Sequence, residues 1–191
     1  MYKEIQCREK NEIKNSENKG FKEIKPEGSI QKSDIKPFWN KVFDVFENRL
    51  ERTLSEYFRD LKEKSEVPDT IPKQPFDTSE LKKISPEENA MMREQFDDMK
   101  KDLKQQWEEE NGRSWPTYDK DIYITKKNGE LVKIREAGSD YDVHHIQPLG
   151  MGGKNEVSNI TPLNADVHYD HRGVHELGSP YDKLNQMLGG N

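Results

Sequence analysis

The chain has 191 residues, 30% of them hydrophobic and 36% charged, with a formal net charge of −6 at pH 7. So polar a composition predicts a modest core surrounded by exposed helices or unstructured parts. The single cysteine, Cys7, excludes an intramolecular disulfide framework and a cysteine-based zinc finger, and there is neither a membrane-length apolar run nor a signal-peptide core.

Residues 1–35 are rich in Lys, Glu, Asn and Ser and read as a flexible arm or linker. From 37 to 64 an amphipathic helix is predicted, with Pro37 in its first turn. Trp39, Val42, Phe43, Phe46, Leu50, Leu54, Phe58 and Leu61 recur at three- and four-residue intervals, a face that packs against another helix or docks a partner. Pro68, Pro72 and Pro75 end helical structure over 65–79, so residues 36–79 read as an accessory helix with a proline-rich linker. Residues 80–191 are expected to form a separate domain.

Ser85-Pro86-Glu87-Glu88 is a helix start, with a capping serine and a proline at the first position, and Gly112 is the matching stop. Met92, Phe96, Met99, Leu103 and Trp107 make the stripe that this helix should bury. Glu108, Glu109 and Glu110 fan apart around the helix and cannot converge on one ion. Trp115 and Tyr118 are expected to cover the core. Between Ile122 and Ile134, Asn128-Gly129 joins two alternating segments into a hairpin. A last short helix is expected from Tyr181 to Leu188. The fold class is therefore α+β: long amphipathic helices, a β-hairpin, then a strand, loop and helix near the C-terminus.

That final unit holds all five histidines, His144, His145, His168, His171 and His175. Imidazole binds transition metals and moves protons near neutral pH, so the clustering points to chemistry. Tyr141 to Ile146 alternates as a short strand, Pro148 and the run from Gly150 to Gly153 break it, and a helix can begin near Asn164. His168 and His171, three apart, would share one helix face. His144 and His145, adjacent on a strand, point to opposite sides and so have different tasks, one on a metal and one toward a substrate.

His144-His145, Gly152-Gly153, Asn159-Ile160, His168 and His171-Arg172-Gly173 together resemble the HNH motif, also called the His-Me finger or ββα-metal motif, of nucleases. The motif covers about a sixth of the chain. It is most similar to the nuclease domains of colicin- and pyocin-type bacteriocins and to C-terminal domains of polymorphic bacterial toxins of the LXG and Rhs kinds. The resemblance implies a ββα-metal fold for this unit and an endonuclease acting as an antibacterial toxin. It also implies a cognate immunity protein and action in the cytoplasm of a target cell after secretion or delivery. It further implies His144, His168 and His171 as metal ligands, His145 as general base and Asn159 as the residue fixing the loop. Colicin-type enzymes space their two helix histidines four apart, a spacing found here between His171 and His175, which leaves His175 as the alternative third ligand.

Phosphodiester hydrolysis needs an activated water, charge stabilisation and help for the departing oxygen, which His145 and one divalent ion would divide between them. Histidine ligands suit zinc, nickel or another transition metal better than magnesium, which remains possible. Asp142, two residues before His144, shares its strand face and can orient a ligand histidine. Arg172 and Arg135 are candidates to clamp a phosphate. DNA is the favoured substrate. The alternatives are an RNase using the same motif and a non-catalytic, zinc-stabilised protein-binding module. Residues 112–191 carry 9 basic and 11 acidic residues, which argues against tight nonspecific binding of nucleic acid.

Overall fold

Ser85 accepts a hydrogen bond from the Glu88 amide at 3.1 Å, Pro86 takes the first helical position, and Gly112 closes the far end with φ +61°. These three residues bound a helix of 26 residues, Pro86–Asn111. The computed structural model describes residues 32–126, 128–169 and 173–189, without the side chains of 32–39 and of Tyr169. In chain order the described elements are α1 (Lys32–Lys64), α2 (Pro86–Asn111), β1 (Ile122–Thr125), β2 (Leu131–Arg135), β3 (Asp142–His145), β4 (Ile160–Leu163), α3 (Ala165–Tyr169) and α4 (Pro180–Met187). The chain is thus α+β, with two separate two-stranded antiparallel sheets, β1–β2 and β3–β4. Residues 1–31, including Cys7 and nearly all of the expected arm, lie outside the described residues.

Helix α1 begins at Lys32, which places Pro37 more than a turn inside it. Its apolar stripe divides in two. Leu50, Leu54, Phe58 and Leu61 are buried, whereas Val42, Phe43 and Phe46 are exposed, so only the second half of the helix contributes to the core. The same correction applies to α2. Leu103 and Trp107 are buried, Met92 and Phe96 half-buried, and Met99 exposed, so the helix is most deeply covered toward its C-terminal end.

Residues Asn40–Asn191 form one unit. Its main apolar cluster joins Leu50, Leu54, Tyr57, Phe58 and Leu61 of α1 to Ile146, Met151, Leu163, Val174 and Leu184. The proline-rich stretch contributes Ile71 and Phe76, the latter meeting Phe58 edge-on at 4.9 Å between ring centroids. A second cluster is built on Trp107 and Trp115, packed edge to face at 5.0 Å, with Val67, Leu103 and Ile160. Each large side chain withdrawn from water in this way contributes on the order of 2 kcal/mol. Burying α1 in the same cluster as β3 and β4 therefore fixes it firmly beneath the histidines.

Strands β3 and β4 pair with His144 opposite Thr161 and His145 opposite Ile160. The 14-residue connection between them would be floppy without Asn159. Its side chain accepts from the Gln147 amide at 2.7 Å and donates to the carbonyls of Gln147 (3.0 Å) and Lys154 (2.9 Å). Gly153 sits so close to this knot that a Cβ there would lie 1.9 Å from the Gln147 carbonyl oxygen. Asn164 starts α3 by accepting from the Asp166 amide at 3.0 Å.

Candidate metal centre

Three imidazoles meet at one end of β3. His144 comes from the strand, His168 from α3, and His175 from the segment before α4; one ligand nitrogen from each lies within 4.8 Å of the others. Their ring centroids are 5.4, 5.3 and 4.9 Å apart. Together they can hold a metal ion. His171 and Arg172, named from the sequence, lie outside the described residues.

Each ring of the trio has a distinct setting. His144 is buried, and burial, followed by the neighbouring charges of His168 and His175, pushes its pKa far below the ordinary imidazole range. The Tyr57 hydroxyl lies 3.1 Å from His144 Nε2 and 2.8 Å from the Ile146 carbonyl oxygen. A carbonyl cannot donate, so the phenolic proton goes to Ile146 and Nε2–H donates to Tyr57. This tautomer leaves Nδ1 of His144 as the nitrogen that can take an ion. At His168, Nδ1 donates to Asp142 Oδ2 at 3.2 Å, so Nε2 is the nitrogen that can take an ion. His175 is held edge-on against Tyr181 at 4.2 Å, and partial burial, then the charges of His168 and Arg93, lower its pKa.

Asp142 joins this trio to the neighbouring sheet. It accepts from Arg135 Nε at 2.7 Å and from Arg135 Nη2 at 2.6 Å, while Arg135 Nη1 donates to the Ile134 carbonyl. Burial alone would raise the Asp142 carboxyl; the hydrogen bonds from His168 and Arg135 outweigh it and hold the pKa below the usual carboxylate range. Arg135, read from sequence as a candidate phosphate clamp, is thus engaged with Asp142.

His145 faces the other side of β3. Its ring meets Phe96 of α2 edge-on at 4.6 Å, and Nε2 lies 3.0 Å from Asn155 Oδ1. Asn155 Nδ2 donates to the Met92 carbonyl at 2.8 Å, which orients the amide with its oxygen toward His145. Nε2 of His145 must then carry the proton, and Nδ1 is its basic nitrogen. Burial lowers the pKa to about 4, the Asn155 hydrogen bond opposing and the Arg93 charge assisting, so the ring is neutral at physiological pH.

Both sides of the strand open onto one cleft of about 340 Å³, whose walls include all four histidines and Arg93, Phe96 and Lys100 of α2. The sequence reading missed Tyr57, Asn155, Arg93 and Lys100. Only Tyr57 carried a signal: it is a phenol three residues after Leu54 and four before Leu61, a polar tip within an apolar stripe.

No protein-family model matches the chain. Over 138 residues it is 35% identical to "Toxin YxiD" of Bacillus subtilis (strain 168), an alignment covering 69% of this chain and 23% of that protein. Over 112 residues it is 31% identical to "Probable deoxyribonuclease RhsB" of Dickeya dadantii (strain 3937), covering 55% of this chain and 6% of that protein. The chain thus spans less than a quarter of the length of either relative.

Proposed function

We propose that the chain is a metal-dependent endonuclease of the HNH (His-Me finger) type, hydrolysing DNA as the toxic part of a delivered antibacterial effector. The observation that carries this reading is the division of labour along β3: three converging imidazoles on one side, and on the other a neutral, oriented histidine opening onto the same cleft. β3, β4 and α3 correspond to the ββα unit, with Asn159 as the residue that knots its loop. The similarity to "Toxin YxiD" and "Probable deoxyribonuclease RhsB" supports the toxin role and the choice of DNA. Residues 80–191 carry the nuclease motif, and residues 36–79 its supporting helix and proline-rich segment. A cognate immunity protein would protect the producing cell by occluding the cleft.

His144, His168 and His175 fit one transition-metal ion such as zinc or nickel. They offer neutral nitrogen ligands, and a carboxylate stands behind His168 to fix its ring. The ion supplies Lewis acidity toward the phosphate and the departing oxygen. The remaining work belongs to the chain. His145 Nδ1 takes the proton of the attacking water, Asn155 keeps that nitrogen unprotonated and aimed, and Asp142 holds His168. Arg172 is assigned to the phosphate.

Plasmid nicking by wild type and His145→Ala, with and without chelator, tests this reading, alongside calorimetric titration of both proteins with Zn²⁺ and Ni²⁺. The expected result is metal-dependent nicking that disappears in the variant while metal affinity is retained. Absence of cutting with every divalent ion would overturn the enzyme reading, and retained cutting in His145→Ala would overturn the assignment of the base.

A further inference from the structure

The acidic balance of the chain leaves open how it would hold a polyanion. Arg93 and Lys100 lie seven residues apart on α2, so they share one face of that helix, separated by about 10 Å along its axis. Both line the histidine cleft from the wall opposite β3. Among the described residues neither makes an ion pair, although other exposed cations, such as Arg113 and Lys133, are matched to carboxylates. Lys100 instead lies over the Phe96 ring, 5.9 Å from its centroid, and the same ring is the one that meets His145. One carboxylate, Asp97, shares this wall. Opposite it, Asp142 is neutralised by Arg135. The α2 wall therefore keeps a net positive charge in a protein of net charge −6.

Resting on the nuclease reading of this cleft, we propose that Arg93 and Lys100 form the strand-holding wall of the site, gripping phosphates of the polynucleotide on either side of the one presented to His145. Their separation of about 10 Å exceeds the ~3.4 Å axial rise between neighbouring nucleotides of one strand, so the two cations reach different phosphates of that strand. Phosphate contacts of this kind set position and affinity without reading sequence. The chemistry recognised is the phosphodiester backbone, shared by DNA and RNA.

The test is fluorescence anisotropy of labelled DNA and RNA oligonucleotides with the full chain. It is run with excess chelator and, separately, with zinc in the His145→Ala background, comparing Arg93→Gln/Lys100→Gln with a charge-matched control, Lys62→Gln/Lys73→Gln. The control residues, half-buried Lys62 and exposed Lys73, line a different cavity, beside Phe58. The expected result is binding at least tenfold weaker in the Arg93/Lys100 variant on one or both polymers. The slope of log affinity against log salt should fall by about 1.4 to 1.8, and the control should stay within twofold of its parent. Equal binding by the Arg93/Lys100 variant and its parent, or an equal loss in the control, would overturn the proposal while metal-dependent nicking by the wild type leaves the nuclease reading standing. A wild type that neither nicks plasmid nor binds either oligonucleotide would remove both.

Discussion

Tyr57 and His144 are joined by a buried hydrogen bond of 3.1 Å between a helix and a strand that are far apart in sequence. The phenol is wholly inaccessible to solvent, donates to the Ile146 carbonyl and, by accepting from Nε2, selects the nitrogen that His144 offers to an ion. Tyr57→Phe keeps the ring packing and removes only the hydroxyl. We expect a stability loss of about 1–3 kcal/mol from the unpaired carbonyl and imidazole. Zinc affinity should fall about 10–100-fold, as it does when a partner behind a ligand histidine is lost. Thermal melts and calorimetric titration separate the two effects. An unchanged zinc affinity would reduce Tyr57 to a packing residue.

Asn155 plays the corresponding part for His145 and touches none of the three converging imidazoles. Asn155→Ala should leave zinc affinity within twofold and slow nicking at least tenfold, since the ring loses the acceptor that keeps its proton on Nε2. Asn155→Asp restores an acceptor and should recover part of the rate. Equal rates in wild type and Asn155→Ala would show that Phe96 packing alone orients His145.

Gly153 is the tightest point of the β3–β4 connection. Gly153→Ala would place a methyl group 1.9 Å from the backbone oxygen of Gln147, next to the Asn159 amide, so the loop must open. A loss of about 3 kcal/mol or more is expected, visible as a lower midpoint in urea. A midpoint matching wild type would mean that the loop has another accessible course.

Acid should weaken the metal-free fold in a defined window. The His145 pKa is lowered from 6.5 to about 4, chiefly by burial, and His144 is shifted in the same direction. Below pH 6.5 the unfolded chain takes up protons that the folded chain refuses, so stability falls as pH drops from about 6.5 toward 4 and is fully present above 6.5. For His145 alone the shift corresponds to roughly 3 kcal/mol. Melting temperatures measured in chelator should fall progressively from pH 7 to pH 4.5. A flat profile would contradict the burial of these rings as neutral groups.

Local signals were legible in the sequence where one residue type answers a local geometric need. Ser85, Pro86 and Gly112 announced the bounds of α2, and Gly129 the left-handed turn of the first hairpin, where φ is +84°. The alternation around His144 and His145 marked β3 and separated their environments. What could not be read was where each amphipathic stripe stops being covered. Val42 and Met99 obey the same spacing as Leu54 and Leu103, and only tertiary packing distinguishes them. Side-chain partners such as Asn155 were hidden for a related reason: an asparagine in a loop has the same local appearance whether or not a histidine ten residues earlier turns toward it.

The contact between Tyr57 and His144 spans 87 residues. Contacts this distant form only after the intervening chain has been brought to order, because the entropy of closing so long a loop must first be overcome. An extended chain therefore holds separate imidazoles and no assembled centre. Any activity at this centre therefore begins only once the chain has folded far enough to bring Tyr57 and His144 together.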